Sequence, residues 1–87
     1  MSRDPYTVVY HPHVTEKTMN LMTKENKLEF IVDRRANKKE IKSAIEKLFE
    51  VQIEHVNTFI NKEGKHAIVK FTKEYSAEDL GMRIGVF

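Results

Sequence analysis

The sequence predicts an α+β domain: a small, mainly antiparallel sheet with helices packed on it, in the order β-α-β-α-β-β-α, a split βαβ plait of the ferredoxin-like kind. Three observations predict it. Leu28, Phe30 and Val32 alternate with Lys27, Glu29, Ile31 and Asp33, the two-residue period of a strand with one well-buried face. Ile41, Ala44, Ile45, Leu48 and Phe49 recur at i, i+3, i+4, i+7 and i+8, the apolar stripe of a helix lying on a core. Beyond Asn61-Lys62-Glu63-Gly64, whose glycine suits a tight turn, Ala67, Val69 and Phe71 alternate again, so a hairpin joins two strands.

The elements follow in order. Residues 1–6, MSRDPY, carry no pattern and read as a loose arm, leaving 7–87 as one domain. Thr7–Tyr10 is a β-branched and aromatic run that Pro12 stops. Thr15 is suited to cap a helix running to about Met22, with Val14, Thr18, Met19 and Met22 on one side, and Thr23–Asn26 forms the turn into the strand. Asn37 with Glu40 three residues on is a capping box with Asn in place of Ser or Thr, and it opens the striped helix. Val51 and Ile53 alternate, then Val56, Thr58 and Ile60 alternate one residue out of phase, which predicts a bulge near His55. Ser76 caps a last helix from Ala77 to about Met82, and Ile84–Phe87 is apolar enough to fold back onto the domain.

A chain of 87 residues buries only about 60–65% of its unfolded surface, which leaves one thin core and no deep walled site. With no cysteine, thiolate metal sites, disulfides and cysteine nucleophiles are excluded. No apolar run has the length of a membrane span, so a soluble intracellular protein without membrane insertion is expected. Charge is unevenly placed. Residues 34–73 hold ten basic and five acidic side chains, net +5, whereas residues 1–33 are net −1 and residues 74–87 net −2. One face of a nearly neutral domain is therefore directed at a polyanion.

Catalytic and metal chemistry find little support. Ser43 and Ser76 lie on a helix exterior and at a cap, with no histidine at predictable reach. None of Gly64, Gly81 and Gly85 opens a helix after a strand, so there is no phosphate loop, and neither an enzyme nor a small-molecule substrate or cofactor is expected. His11, His13 and Glu16 are close in sequence, but Pro12 separates the two histidines, His55 and His66 belong to other elements, and no zinc spacing is met. The expectation is no metal site.

RNA is better served. Asp33-Arg34-Arg35-Ala36-Asn37-Lys38-Lys39-Glu40 puts four cations and a helix N-terminus at one junction, a ready place for phosphate. The hairpin adds Lys62, Lys65, His66, Lys70 and Lys73. Contacts of this type position a protein on RNA without reading its bases. The stretch Gly64–Phe71 echoes the sheet motif of RNA-recognition domains, but His66 and Ile68 stand where stacking aromatics are needed, and Phe30, Phe59 and Phe71 are expected to be buried. A free-standing RNA-binding module is the alternative that such aromatics would favour.

In combination, the segment Pro12–Lys17 (PHVTEK), the strand Asn26–Val32, the helix Lys38–Phe49 (KKEIKSAIEKLF), Val56-Asn57-Thr58 (VNT) and the strand Lys65–Lys70 resemble the universal large-subunit ribosomal protein twenty-three family in its archaeal-type form. The resemblance covers essentially residues 7–87. It implies a structural protein beside the peptide exit tunnel, bound to large-subunit ribosomal RNA and touching ribosomal protein twenty-nine of the large subunit. It further implies a role in docking the signal recognition particle or other exit-site factors. By motif match, Lys17, Asn57 and Thr58 would face RNA, with Thr15 expected beside them, Arg34, Arg35 and Lys38 match a junction that is basic in archaeal members, and Glu16 matches a residue that docks a visiting protein. With Asn37, Lys39, Lys65, His66 and Lys70 from the charge reading, these make the expected RNA-binding set. One departure matters: bacterial members carry a long basic hairpin extension, and the turn at Asn61–Gly64 is too short for a tunnel-lining role.

Overall fold

A computed structural model describes residues 4–85. Its elements are α1 (Pro5–Val8), β1 (Val9–Pro12), α2 (Glu16–Glu25), β2 (Lys27–Val32), α3 (Lys38–Phe49), β3 (Ile53–Asn61), β4 (Gly64–Phe71) and α4 (Ala77–Arg83). The four strands form one antiparallel sheet in the order β1-β2-β4-β3. Because β4 pairs antiparallel with both β2 and β3, those two run parallel with β4 inserted between them, so β2-α3-β3 is a split βαβ unit. β1 and β2 are adjacent and antiparallel, and α2 is an excursion between neighbours.

The chain start differs from the loop-then-strand expectation. Of residues 1–6, residues 1–3 lie outside the described residues. Asp4 accepts a hydrogen bond from the Tyr6 backbone N–H at 2.9 Å, and with Pro5 at the first helical position it opens the turn α1. Val8 is thereby buried, and β1 begins at Val9 rather than Thr7. At the other end Ile84 packs against the core, as expected, while Val86 and Phe87 lie outside the described residues.

The α2 helix runs to Glu25, three residues beyond the expected end, because Asn26 closes it in the left-handed conformation at φ 57°. The Asn26 side chain then joins distant segments. Its Nδ2 donates to the Tyr75 carbonyl at 3.0 Å, and its Oδ1 accepts from the Ala77 N–H at 2.7 Å. Thr15 caps α2 as expected, through a reciprocal pair with Thr18. Asn37 and Glu40 form the expected capping box: the Glu40 N–H donates to Asn37 Oδ1 at 2.8 Å and the Asn37 N–H to Glu40 Oε1 at 3.1 Å.

All the helices cover one sheet face. Leu28, Phe30 and Val32 of β2, Ala67, Val69 and Phe71 of β4, and Ile53 and Val56 of β3 share a core with Met22, Ile41, Ala44, Ile45, Ala77 and Leu80. The register slips between Ile53 and His55, as the phase shift predicts. The backbone N–H of Ile53, at this slip, donates to Glu46 Oε2 at 2.9 Å. The turn Lys62-Glu63 joins β3 to β4, with Asn61 opposite Gly64 and Gly64 at φ 126°. The outer face carries Glu29 and Ile31 of β2, His66, Ile68 and Lys70 of β4, and His55, Asn57 and Phe59 of β3, by the alternation of the same register.

Candidate nucleic-acid interface

Asp33 organises the basic junction. Its Oδ1 accepts from the Arg35 N–H at 2.9 Å, and its carbonyl accepts from the Ala36 N–H at 3.0 Å, folding residues 33–36 into a turn. Ala36 is buried under that turn, and Asn37 starts α3. Arg34, Arg35, Asn37, Lys38 and Lys39 are all exposed. Arg35 lies 3.6 Å from Asp33, but its side chain keeps 85% of its exposure. Arg34, Lys38 and Lys39 have no ion-pair partner among the described residues. The sequence-local hydrogen bonds thus use the backbone and the cap and leave the cations in solvent.

The fold adds three groups to the junction, of which sequence spacing keeps Lys65 and His55 apart from it. Lys65 reaches from β4 to donate its ammonium to the Ala36 carbonyl at 2.6 Å, so it stabilises the turn beneath the exposed cations. Lys42 and His55 join Lys38 and Lys39 along a shallow groove of about 210 Å³ that also holds Glu54. Lys42 stands one helical turn beyond Lys38, a signal the sequence carries; His55 arrives only through the sheet.

The remaining expected residues lie elsewhere. Thr15, Glu16 and Lys17 are exposed at the first turn of α2. Asn57 is exposed on the outer sheet face, with its Oδ1 3.1 Å from His55 Nε2, and Thr58 is half-buried on the helix side, opposite Ala67. Lys70 is half-buried, 3.7 Å from Glu54 Oε1.

His66 is on the outer face, as expected, but only 1% exposed. Its Nδ1 lies 2.7 Å from Glu29 Oε2 and its Nε2 2.9 Å from Asn61 Oδ1, so both polar atoms are used inside the protein. Phe59 corrects a sequence expectation. Phe30 and Phe71 are buried, but Phe59 is 43% exposed and stacks on the His66 ring at 4.6 Å and 6°. The bulge at His55 sets the phase of β3, and a residue between inward Thr58 and Ile60 must point out. One cationic area results, the junction with its groove, whereas Lys17 at the first turn of α2 stands beside the acidic Glu16.

Comparison with known proteins identifies the family of this chain. A family model described as ribosomal protein L23 matches residues 7–79. The large ribosomal subunit protein uL23 of Methanothermobacter thermautotrophicus is 49% identical over 85 residues, which is 97% of this chain and 99% of that protein. The protein of the same name from Thermoplasma acidophilum is 50% identical over 80 residues, 92% of this chain and 95% of that protein. That from Methanobrevibacter smithii is 48% identical over 85 residues, 97% of this chain and 99% of its own. The chain therefore belongs to the ribosomal protein L23 family, in its archaeal form.

Proposed function

We propose that this protein is a non-enzymatic structural component of the large ribosomal subunit in the cytoplasm, held to large-subunit ribosomal RNA by the exposed cations of the Asp33–Lys39 junction. The observation that carries the reading is the junction itself. Four exposed basic side chains, of which only Arg35 has an ion-pair partner among the described residues (Asp33), stand over a turn that is fixed from below by Asp33, Asn37 and Lys65. Fixed positive groups of this kind bind phosphates at low entropic cost and release counterions on doing so.

Within that reading, Arg34, Arg35, Lys38 and Lys39 contact phosphates directly, and Lys65 and Asn37 hold the surface in shape. Thr15 and Lys17 at the start of α2, Asn57 on the outer sheet face and Thr58 on the helix side supply further RNA contacts, as the family resemblance implies. Lys70 contributes through its partly exposed ammonium, and His66 through the platform it provides for Phe59. Glu16, exposed beside Lys17, is the docking residue for the signal recognition particle or another exit-site factor, and ribosomal protein twenty-nine is the neighbouring protein. No helix of the described residues is long and apolar enough to cross a membrane.

One observation favours the alternative, a free-standing RNA-binding module: Phe59 is an exposed aromatic on a sheet face. Stacking a single strand requires a row of such rings. Phe30 and Phe71 are buried and supply no second ring beside Phe59, so the ribosomal reading stands ahead.

Sedimentation of the native protein tests the proposal. It should travel with large ribosomal subunits and leave them only at high salt. Recovery at the top of the gradient in low salt would refute it.

A further inference from the structure

The tertiary structure assembles a side-chain cluster that no sequence spacing suggests. His13 comes from the connector between β1 and α2, Glu29 from β2 and His66 from β4. One ligating atom of each lies within 4.8 Å of the others. We propose that His13, Glu29 and His66 form a binding site for a divalent transition metal of the zinc class.

The hydrogen-bond pattern around His66 supports this. The Glu63 backbone N–H donates to Asn61 Oδ1 at 2.9 Å, which fixes that atom as the amide oxygen. His66 Nε2 sits 2.9 Å from the same oxygen and must donate to it. A neutral ring with its proton on Nε2 turns the Nδ1 lone pair toward Glu29 Oε2, 2.7 Å away. Two acceptors facing each other at this distance require a cation between them, either a second proton or a metal ion. A histidine whose far nitrogen donates to a fixed oxygen is the usual outer-shell arrangement of a metal ligand.

The third ligand and the surroundings favour the metal. His13 Nε2 lies 3.9 Å from the same Glu29 oxygen. Two imidazoles and one carboxylate suit zinc, whose bonds of about 2.0–2.2 Å separate tetrahedral ligands by roughly 3.3 Å. Glu29 and His66 would open by about half an ångström, and His13, whose residue lies outside any helix or strand, would close by about half an ångström on Glu29 and by up to about 1.5 Å on His66. Glu29 and His66 are buried, with side-chain exposures of 6% and 1%, and His13 keeps 20%. A cavity of about 190 Å³ bordered by His13, Lys17, Phe59 and Glu63 leads to the cluster and has room for water as a fourth ligand. A metal there would pin the His13–Lys17 junction onto β2 and β4, acting as a staple between the connector and the sheet. This inference is independent of the RNA reading.

The test uses the full chain after chelator treatment, titrated with zinc chloride by calorimetry and with cobalt chloride by visible absorption. Saturable one-to-one binding, a four-coordinate cobalt spectrum and a raised melting temperature are expected. His13→Ala, at a half-exposed position, should weaken zinc at least tenfold, and Asn61→Ala should weaken it by a comparable factor without removing a ligand. His11→Ala and His55→Ala should leave it unchanged. Should His13→Ala fail to fold, the ring-nitrogen NMR signals of wild-type His66 decide, since zinc must displace Nδ1 and not Nε2. No saturable binding by the wild type would mean that a proton fills the position and would overturn the proposal. Binding unaltered by His13→Ala, or an unmoved Nδ1 signal, would overturn it equally.

Discussion

The Asp33–Lys39 junction and the outer face of the sheet hold similar polar inventories and use them in opposite ways. At the junction, Asp33, Asn37 and Glu40 are satisfied by backbone groups two or three residues away, and the cations above them remain in water. On the sheet, Glu29 and His66 are 37 residues apart and turn their polar atoms on each other at 2.7 Å, with Asn61 and Phe59 closing over the pair. A local turn organises the backbone and leaves long side chains free to act on a partner. A long-range pair buries its charge and acts on the fold instead.

Five substitutions sharpen or break this contrast, from the largest effect to the smallest. Glu29→Ala should cost about 3 kcal/mol of stability, because it strands the buried His66 without its partner. A loss below about 1 kcal/mol in urea unfolding would show that the pair is structurally idle. Asn37→Ala should cost about 1 kcal/mol, the usual value of an N-cap, seen as a lower unfolding midpoint at unchanged slope.

Arg34→Ala and Lys38→Ala should each move stability by less than about 0.5 kcal/mol, as free surface residues do. Each should weaken binding to a large-subunit RNA fragment and make its logarithmic salt slope shallower by about one. Unchanged affinity and slope in both variants would remove the junction as the RNA site. Glu16→Gln should be mild on the fold. A carboxylate in the first turn of a helix is worth only about 0.3–1 kcal/mol, so the melting temperature should hardly move. Attachment of exit-site factors to intact ribosomes should nevertheless fall; a destabilised variant with normal docking would make Glu16 a capping residue only.

Much of this architecture was readable before any coordinates. The stripe from Ile41 to Phe49 became α3, Asn37 with Glu40 became its capping box, and the phase change in Val51–Ile60 became the slip at His55. Each depends on residues within a few positions of one another, where periodicity and capping chemistry act. The end of α2 escaped, because Asn26 carries the helix to a left-handed close and bonds Tyr75 and Ala77, about fifty residues on. The start escaped as well, since Asp4 with Pro5 makes a single helical turn too short for any period to register.

By itself, then, the sequence determined the strands, the three longer helices with their N-caps, and the exposed cations of the junction, since 3.6- and two-residue periods and short-range hydrogen bonds need no knowledge of the rest of the chain. Only the tertiary structure decided which polar side chains are spent and which are free. It took Lys65 into the junction's turn, buried His66 against Glu29, exposed Phe59 above it and brought His13 alongside. Those outcomes depend on the pairing of β2, β4 and β3, and strand register is set by the whole sheet at once.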